Sequence, residues 1–381
     1  MTRDAIIVGG GIIGCSIGLR LAQAGMKVTI LDRGRAGCEA SRAAAGMLSP
    51  QTEAAAPGPF FDLCLRSRSI YPAFAEEIRE LSGIDPQYRD EGALSLALSE
   101  ADQAWVEGWS AWQAEAGLAI ERLPAELVRQ LEPSITGAAG GAVFVPGDHQ
   151  VDNRLLMDGL VVAALSAGVE IAEGKQADAL LTDRGRIAGV RCEGESFSAG
   201  WVIVASGCWS SALLETAGLN VEIRPARGQM VALRGDRAPI RCLVHSIRCY
   251  LVPRLDGRIL IGATVEYTGY RKAVTAEAMR TLLGAAIEIV PALDSFEIEE
   301  CWSGLRPDTP DHLPVLGPAG PDNLVLATGH FRNGILLAPI TAQLISDLIV
   351  GGRREEILTP FLAERFAGQS GGEETTGRRS S

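Results

Sequence analysis

Several residue patterns that mark large functional classes are missing from this sequence. None of its eight cysteines forms a C-x-x-C pair, a distribution that favours reduced thiols over a zinc site or a disulfide framework. The histidines show no metal-ligand spacing; they are His149, His245, His312 and His330. We therefore expect no bound metal and a cytoplasmic location.

Positive charge and long apolar runs are also scarce. Lys and Arg number 35 against 47 Asp and Glu, a formal net charge of −12, whereas a nucleic-acid partner favours a basic surface. The apolar stretch at 5–19 is interrupted by glycines and is shorter than the roughly 20 residues that span a bilayer. No amphipathic docking segment is evident either. We expect neither a nucleic-acid nor a membrane partner.

The chain of 381 residues is long enough for two packed domains. Periodicity predicts strands over 4–8 and 26–31 around a helix over 12–24, a βαβ unit. Further helices are predicted over 60–82, 100–116, 152–167, 275–289 and 335–350. Strands are predicted over 92–98, 169–171, 177–181, 187–192, 201–205, 229–233, 250–252, 258–263 and 324–327.

These elements predict an α/β (α+β) fold in which a β-rich substrate domain is inserted into a Rossmann-like dinucleotide-binding domain. The dinucleotide-binding domain would comprise residues 1–85, 146–220 and 301–366. The substrate domain would comprise 86–145 and 221–300. Residues 367–381 are predicted to be a disordered tail, since 368–381 contain no apolar residue.

The first turn of the βαβ unit carries the sequence GGGIIG at 9–14. Gly9 would permit the tight turn, Gly11 the approach of a pyrophosphate, and Gly14 the contact between helix and strand. The phosphates would then lie at the helix N-terminus. Asp32 ends the second strand, where a carboxylate accepts hydrogen bonds from a ribose. NAD and FAD share this motif, so the choice between them depends on other segments.

Three later segments carry small residues beside predicted strands or helices. Residues 41–47 read SRAAAGM and would let the backbone lie against a bulky ligand, although an alanine-rich helix start has the same composition. A buried strand at 202–205 runs into a glycine turn at Gly207. Residues 329–336, GHFRNGIL, form a glycine loop that opens an apolar helix. Such a helix end stabilises negative charge on a reduced flavin, and a ligand-free cap is the alternative.

Two arginines and a tyrosine are candidates for substrate binding. Arg306 lies in the segment GLRP, and Arg332 lies in the glycine loop at 329–336. A guanidinium binds a carboxylate through two parallel hydrogen bonds, which suits an amino-acid substrate. Tyr250, at the start of a predicted strand, would add a hydroxyl donor. Ordinary surface arginines and a packed strand tyrosine would look the same.

With these motifs in place, the chain resembles the D-amino-acid oxidase family of flavoenzymes, most closely its glycine oxidase branch. The resemblance covers residues 6–366. It rests on the segments GGGIIG (9–14), SRAAAGML (41–48), VIVASGCWS (202–210), YLVPR (250–254), WSGLRPDTPDHLPVLG (302–317) and GHFRNGILLAP (329–339).

The resemblance implies a glutathione-reductase type of FAD-binding domain and particular site residues. Arg306 would bind the substrate carboxylate, Tyr250 would hydrogen-bond to it, and Arg332 and Met47 would lie beside it. The residues that would contact FAD are Gly9, Gly11, Ile12, Ile13, Gly14, Asp32, Arg33, Ala40, Ser41, Ala45, Gly46, Met47, Ala177, Gly207, His330, Phe331, Arg332, Asn333, Gly334, Ile335 and Leu336.

The family also implies a reaction. The substrate would bind as a neutral amine, its Cα hydride would pass to flavin N5, the imine would hydrolyse, and O₂ would reoxidise the flavin to give H₂O₂. Glycine would be the substrate, with sarcosine or small D-amino acids as others, and the imine would feed thiazole synthesis for thiamine. A homotetramer is implied as well. No cysteine follows Cys301, so FAD is expected to be bound noncovalently.

Two residues depart from the glycine oxidase pattern and put the substrate range in doubt. Arg248 replaces a histidine two residues before the tyrosine, and Val265 replaces a methionine after the GAT turn. Two other functions stay open at this point. One is a flavin-dependent dehydrogenase that passes electrons to a quinone or a carrier protein. The other is a binding or assembly subunit without turnover, which would have little need of Arg306, Tyr250 and Arg332.

Overall fold

The chain is organised around two large β-sheets that face each other across a cleft. The computed structural model describes residues 3–366, so the tail predicted for 367–381 lies outside the described residues. Strands are numbered in chain order: β1 Arg3–Val8, β2 Val28–Leu31, β3 Met47–Leu48, β4 Ala93–Ala97, β5 Glu121–Pro124, β6 Gly141–Val145, β7 His149–Gln150, β8 Glu170–Ala172, β9 Ala177–Asp183, β10 Arg186–Cys192, β11 Glu195–Val204, β12 Arg224–Arg234, β13 Leu243–His245, β14 Tyr250–Pro253, β15 Arg258–Gly262, β16 Glu297–Asp308, β17 Val315–Pro318 and β18 Leu324–Thr328.

Helices connect and cover these strands. They are α1 Ile12–Gln23, α2 Ala40–Ala43, α3 Pro50–Glu53, α4 Pro59–Ser82, α5 Glu100–Glu115, α6 Ala125–Leu131, α7 Asn153–Ser166, α8 Ser210–Glu215, α9 Ala276–Ile289 and α10 Gly334–Gly351. Short 3₁₀ turns lie at Gly207–Trp209, Pro291–Ser295, Glu356–Phe361 and Ala363–Phe366.

The first sheet has the strand order β17-β18-β11-β1-β2-β8, with β10 and β9 attached beyond β11. Its centre is parallel: Ile7 of β1 lies opposite Ile30 of β2 and Ile203 of β11. These three side chains are fully buried, as expected for a parallel sheet that is covered on both faces. This architecture confirms the predicted α/β fold with a Rossmann-like dinucleotide-binding domain.

Helices α1 and α10 lie side by side against this sheet and have apolar surfaces almost all round. Nine residues of α1 are buried, and so are eleven of α10. Within residues 3–366, α10 is the one helix long and apolar enough to cross a membrane. It packs instead in the same core cluster as α1, with residues such as Leu337 and Ile345 fully buried. Its apolar character is therefore explained by its place in the core.

The second sheet has the order β16-β12-β15-β14-β13-β4-β6-β5. One face packs against α9, whose apolar side contributes Leu282, Ala286 and Ile289. The other face, which includes Ala93, Met230 and Tyr250, packs towards the first sheet and contacts Ala45 and Met47. Side chains that alternate along these strands therefore divide between a core and a cleft wall.

The six predicted helices are present with bounds within one residue of those expected. Seven strands were not predicted: β3, β5, β6, β7, β13, β16 and β17. The first half of β16 is exposed and carries Glu297, Glu299 and Glu300. It lies at the edge of the sheet, where charged residues are typical and an apolar alternation is absent. Because β16 runs through residue 301, the predicted boundary there falls inside a strand of the second sheet, and the division into domains stays a prediction.

Candidate active site

A deep cleft lies between the two sheets and has a volume of about 1060 Å³ including the part open to solvent. Most of the residues predicted to bind a cofactor or a substrate line it: Ile12, Ile13, Ala40, Ser41, Ala45, Gly46, Met47, Gly207, Tyr250, Arg306, His330, Phe331, Arg332, Asn333, Gly334 and Ile335. These residues come from both walls of the cleft and from six stretches of chain that are far apart in sequence.

The wall formed by the first sheet presents two helix N-termini to the cleft. Ile12 and Ile13 begin α1, and Gly334 and Ile335 begin α10. Neither helix has a side-chain N-cap hydrogen bond or an acidic residue in its first turn. Because a helix N-terminus carries a partial positive charge and free N–H groups, both ends suit an anionic group.

Two glycines set the backbone at the start of α1. Gly9 adopts φ +107°, a conformation that glycine favours. A Cβ on Gly14 would collide with the carbonyl oxygen of Gly9. The start of α1 therefore packs closer to the end of β1 than any side chain would allow. The Asp32 carboxylate accepts hydrogen bonds from the N–H groups of Gly10 (2.7 Å) and Gly34 (2.8 Å), which ties the end of β2 to the glycine turn.

The wall formed by the second sheet contributes the candidate carboxylate ligands. Arg306 lies near the end of β16, half-buried, and its Nη1 donates to the carbonyl oxygen of Thr264 at 3.0 Å. A Cβ on Gly228 of the neighbouring β12 would collide with the guanidinium. Burial lowers the pKa of Arg306 from its usual value. The guanidinium therefore rests directly on a glycine, at a place where a carboxylate would compensate the cost of burying its charge.

Tyr250 is placed by a second glycine. Its ring lies over Gly262, the residue paired with it on β15, and a Cβ there would collide with the phenol. Burial raises the pKa of Tyr250, so the hydroxyl remains a hydrogen-bond donor at neutral pH. The glycines at 228 and 262 thus leave room for the two side chains expected to contact a substrate carboxylate.

Arg332 carries a partner that the sequence did not predict. Its Nη2 lies 3.1 Å from Oε1 of Glu53 at the end of α3, and this carboxylate raises the pKa of Arg332. Glu53 lines the cleft, and 16% of its side chain is exposed, against 43% for Arg332. No local motif marks Glu53, so only the fold brings it to the site.

Two histidines near the cleft are held neutral. Burial lowers the pKa of His330 to about 3, and that of His245 to about 4. His330 Nε2 lies 3.1 Å from the Thr341 hydroxyl, whereas His245 Nε2 has no hydrogen-bond partner among the described residues. His245 is the cross-strand neighbour of Tyr250. Neither imidazole is a strong base at neutral pH.

Most of the chain matches one known protein family. The family model described as FAD dependent oxidoreductase (DAO) matches residues 4–348. The chain belongs to this family. It is therefore an FAD-dependent oxidoreductase, and the dinucleotide expected from the glycine motif is FAD.

Relatives of known name support the same grouping. The chain is 37% identical to the glycine oxidase of Geobacillus kaustophilus, over 97% of this chain and 98% of that protein. The crystal structure of that species' glycine oxidase superposes with a TM-score of 0.91 at 36% identity, covering 96% of this chain and 99% of the other. The chain is also 41% identical to the bifunctional protein ThiO/ThiG of Synechocystis, over 96% of its own length but 54% of that protein. It thus spans about half the length of such bifunctional relatives.

The residues present fit FAD. The N-termini of α1 and α10 would face the pyrophosphate and the flavin, and Asp32 stands at the end of β2 where a ribose lies in dinucleotide domains. Gly207 adopts φ +57° with open space where a Cβ would be. Ser41 Oγ accepts from the Ile12 N–H at 2.9 Å and so lies beside the phosphate end.

Some predicted FAD residues do not line the cleft itself: Gly9, Gly11, Gly14, Asp32, Arg33, Ala177 and Leu336. Arg33 lies over the ring of Trp209, with 3.5 Å from Cζ to the centroid, and pairs with Glu39. Ala177 begins β9, and Leu336 is buried in the core between α10 and α4. Their roles towards FAD stay predictions.

The two departures from the glycine oxidase pattern lie outside the cleft lining. Arg248 pairs with Glu288 of α9 at 2.7 Å, and Val265 is 46% exposed. One further motif is a coincidence: residues 14–18 read GCSIG and match the G-x-S-x-G pattern of hydrolases. Ser16 lies inside α1 and is 1% exposed, so it is not placed as a nucleophile.

Proposed function

We propose that this chain oxidises glycine, with sarcosine and small D-amino acids as further substrates, to glyoxylate, ammonia and H₂O₂ at the expense of O₂ and water. The observation that carries the proposal is the pairing of Arg306 and Tyr250, each resting on a glycine, in the same cleft as the two helix N-termini. Glycine oxidases that match over nearly their whole length add to it.

Substrate binding follows from the charges of the cleft. The Arg306 guanidinium would hold the carboxylate through two hydrogen bonds, and the Tyr250 hydroxyl would donate a third. Arg332 adds positive charge nearby, which Glu53 partly neutralises. Because Arg306 and the helix ends line the same cleft, a carboxylate held at Arg306 would place Cα between the two walls.

Two neutral histidines and several apolar side chains complete the site. When bound, FAD would supply the redox chemistry: it would accept the hydride of the Cα–H bond as the amine becomes an imine, and pass the two electrons to O₂. Because burial keeps His245 and His330 uncharged, neither imidazole adds positive charge beside Arg306. The apolar side chains of Met47, Met230 and Ala45 exclude water from the floor of the cleft.

Anaerobic reduction of the flavin tests the proposal directly. The purified holoenzyme is mixed with glycine, sarcosine or D-alanine without oxygen, and the visible flavin spectrum is recorded. We expect bleaching with glycine, followed by stoichiometric H₂O₂ when air is admitted. An unchanged spectrum with all three amines would refute the substrate class. Bleaching without peroxide would instead identify a dehydrogenase that uses a quinone or a carrier protein.

We infer three further properties from the same resemblance. The enzyme is a cytoplasmic homotetramer, and its imine product supplies thiazole synthesis for thiamine, since ThiO/ThiG relatives carry this chain's counterpart within a longer protein. Light scattering on the holoenzyme measures the oligomeric state, and a monomer would contradict it. Growth of a deletion strain without thiamine tests the pathway.

A further inference from the structure

A long connection crosses from the second sheet to the rim of the FAD cleft. We call residues 263–275 the strap; it joins β15 to α9. It forms no helix, and its one strand-like contact is an isolated bridge at Glu266. A loop of this length without secondary structure is uncommon inside a compact fold unless it has a function.

The base of the strap is firmly attached to the second sheet. Glu266 pairs with Arg227, a residue only 5% exposed, and accepts from Gln229 Nε2 at 2.7 Å. The Tyr267 hydroxyl donates to the buried Asp308 carboxylate at 2.7 Å. These bonds involve buried charged groups and hold the beginning of the strap in one position.

The far part of the strap contacts the opposite wall. The Tyr270 ring stacks on Trp209 with 5.8 Å between centroids, and its hydroxyl donates to the Cys208 carbonyl oxygen at 3.0 Å. Lys272 forms an ion pair with Glu39. Glu39 also pairs with Arg33, whose guanidinium lies on Trp209. Residues of both walls therefore meet in one cluster.

This cluster sits at the edge of the FAD site. Cys208 and Trp209 directly follow Gly207, and Glu39 directly precedes Ala40 and Ser41; these three neighbours line the cleft. Arg33 follows Asp32, the carboxylate expected at the ribose. The strap thus closes the rim of the cleft on the side where the ribose of FAD is expected.

The contacts at the far part are of a kind that opens readily. Tyr270 is 52% exposed, and the Lys272 and Glu39 side chains are 40% and 36% exposed. Exposed ion pairs and single aromatic stacks are individually weak, in contrast to the buried bonds at the base. Both ends of the strap are attached to Gln229, so the part that can separate from the opposite wall is the stretch around Tyr270 and Lys272.

We infer that Tyr270 and Lys272 hold the strap closed over bound FAD, and that its opening is a step in both FAD entry and FAD release. This inference concerns the cofactor and does not depend on which amine is oxidised. Its test must measure FAD exchange, because turnover by enzyme that already holds FAD does not depend on opening of the strap.

The test measures two rates by FAD fluorescence. Release is followed after diluting the holoenzyme, and entry is followed by mixing the apoprotein with FAD. Two variants test the strap: Tyr270→Ala removes the stack on Trp209, and Lys272→Gln removes the ion pair with Glu39. Two variants are controls: Tyr270→Phe keeps the stack, and Leu255→Ala changes an exposed side chain in another turn. We expect both rates to rise about threefold to tenfold in Tyr270→Ala, less in Lys272→Gln, and neither in Leu255→Ala.

Two results would overturn the inference. If both rates stay within about twofold of the parent in Tyr270→Ala and Lys272→Gln, the strap does not limit exchange. If release accelerates while entry is unchanged or slower, the substitutions damage the site instead of uncovering it. Because Lys272 is a surface residue, its variant folds even if Tyr270→Ala does not, and it decides the question alone in that case.

Discussion

The two walls of the cleft differ in the kind of atom that they present to a ligand. The wall from the first sheet offers backbone N–H groups at the starts of α1 and α10, set by glycines such as Gly14. The wall from the second sheet offers the side chains of Arg306 and Tyr250. A side-chain substitution leaves the backbone N–H donors of a helix in place, whereas a single substitution removes a guanidinium. We therefore expect FAD binding to be weakened mainly by substitutions that add atoms to a glycine. Substrate binding should be weakened mainly by substitutions that remove the Arg306 or Tyr250 side chain.

The largest expected effect is on the substrate wall. Arg306→Ala removes the only cation that rests on Gly228, and losing a buried charge partner of a carboxylate costs about 2–5 kcal/mol. We expect kcat/KM for glycine to fall about 10³-fold, with an unchanged flavin spectrum and FAD affinity. Arg306→Lys, which keeps the charge but not the fork, should lose less. Loss of FAD together with activity in Arg306→Ala would abolish the distinction between the walls.

On the cofactor wall, adding one carbon should have the next largest effect. In Gly14→Ala the new Cβ meets the Gly9 carbonyl oxygen, so α1 must move away from the sheet and its N–H groups with it. We expect FAD affinity to fall roughly 100-fold, measured by fluorescence quenching. Gly108→Ala in α5, where a Cβ meets open space, is the matched control. Equal FAD binding by the two variants would contradict the prediction.

A smaller effect is expected from the same addition on the substrate wall. Gly228→Ala pushes the Arg306 guanidinium away, but a long side chain adjusts more easily than backbone. We expect KM for glycine to rise about tenfold, with little change in kcat or in FAD affinity. Gly284→Ala in α9, again with no atom nearby, serves as the control. A fall in FAD affinity as large as that of Gly14→Ala would show that the two walls are not independent.

The smallest effect concerns the buried histidine of each wall, His245 and His330. Their folded pKa values of about 4 and 3 lie below the unfolded value of 6.5, so the unfolded chain binds protons that the folded one cannot. The two histidines therefore cost no stability above pH 6.5. Below that pH the free energy of unfolding falls as the pH drops towards 4. Between pH 6.5 and 5 each histidine should lower the free energy of unfolding by about 1.5 kcal/mol, which lowers Tm by roughly 2–4 °C.

Flavin-fluorescence melting curves of His245→Gln and His330→Gln test this expectation. Each variant should show a shallower decline of Tm below pH 6.5 than the parent. A parallel decline in all three proteins would mean that other groups control the acid sensitivity.

The contrast between the walls also explains what could be predicted from the sequence. The cofactor wall depends on contiguous signals: a strand, the turn at 9–14, a helix and Asp32 all occur within 30 residues. The substrate wall depends on strand register, because Gly228 meets Arg306 only when β12 pairs with β16. Residue type alone makes Arg306 and Tyr250 candidates, their roles come from the family resemblance, and no local pattern marks the glycines beneath them.

Glu53 and His245 show the same limit at single residues. Glu53 ends a four-residue helix with no motif, and its importance comes from the ion pair with Arg332 across 279 positions of sequence. The sequence gives His245 no role beyond the absence of metal-ligand spacing, because its burial and the proximity of Tyr250 are properties of the sheet. β16 escaped prediction for a related reason, since its charged edge hides the period-two pattern.

The pairing of the first sheet also orders events during synthesis. β1, made first, pairs with β11, and β11 pairs with β18 near the other end of the chain. α10, which supplies one of the two helix ends for FAD, follows β18. A nascent chain on the ribosome therefore carries an unfinished sheet until β18 has emerged. FAD has no complete site to enter until α10 has followed it, so the cofactor cannot bind to the first βαβ unit and its glycine turn in their final setting any earlier.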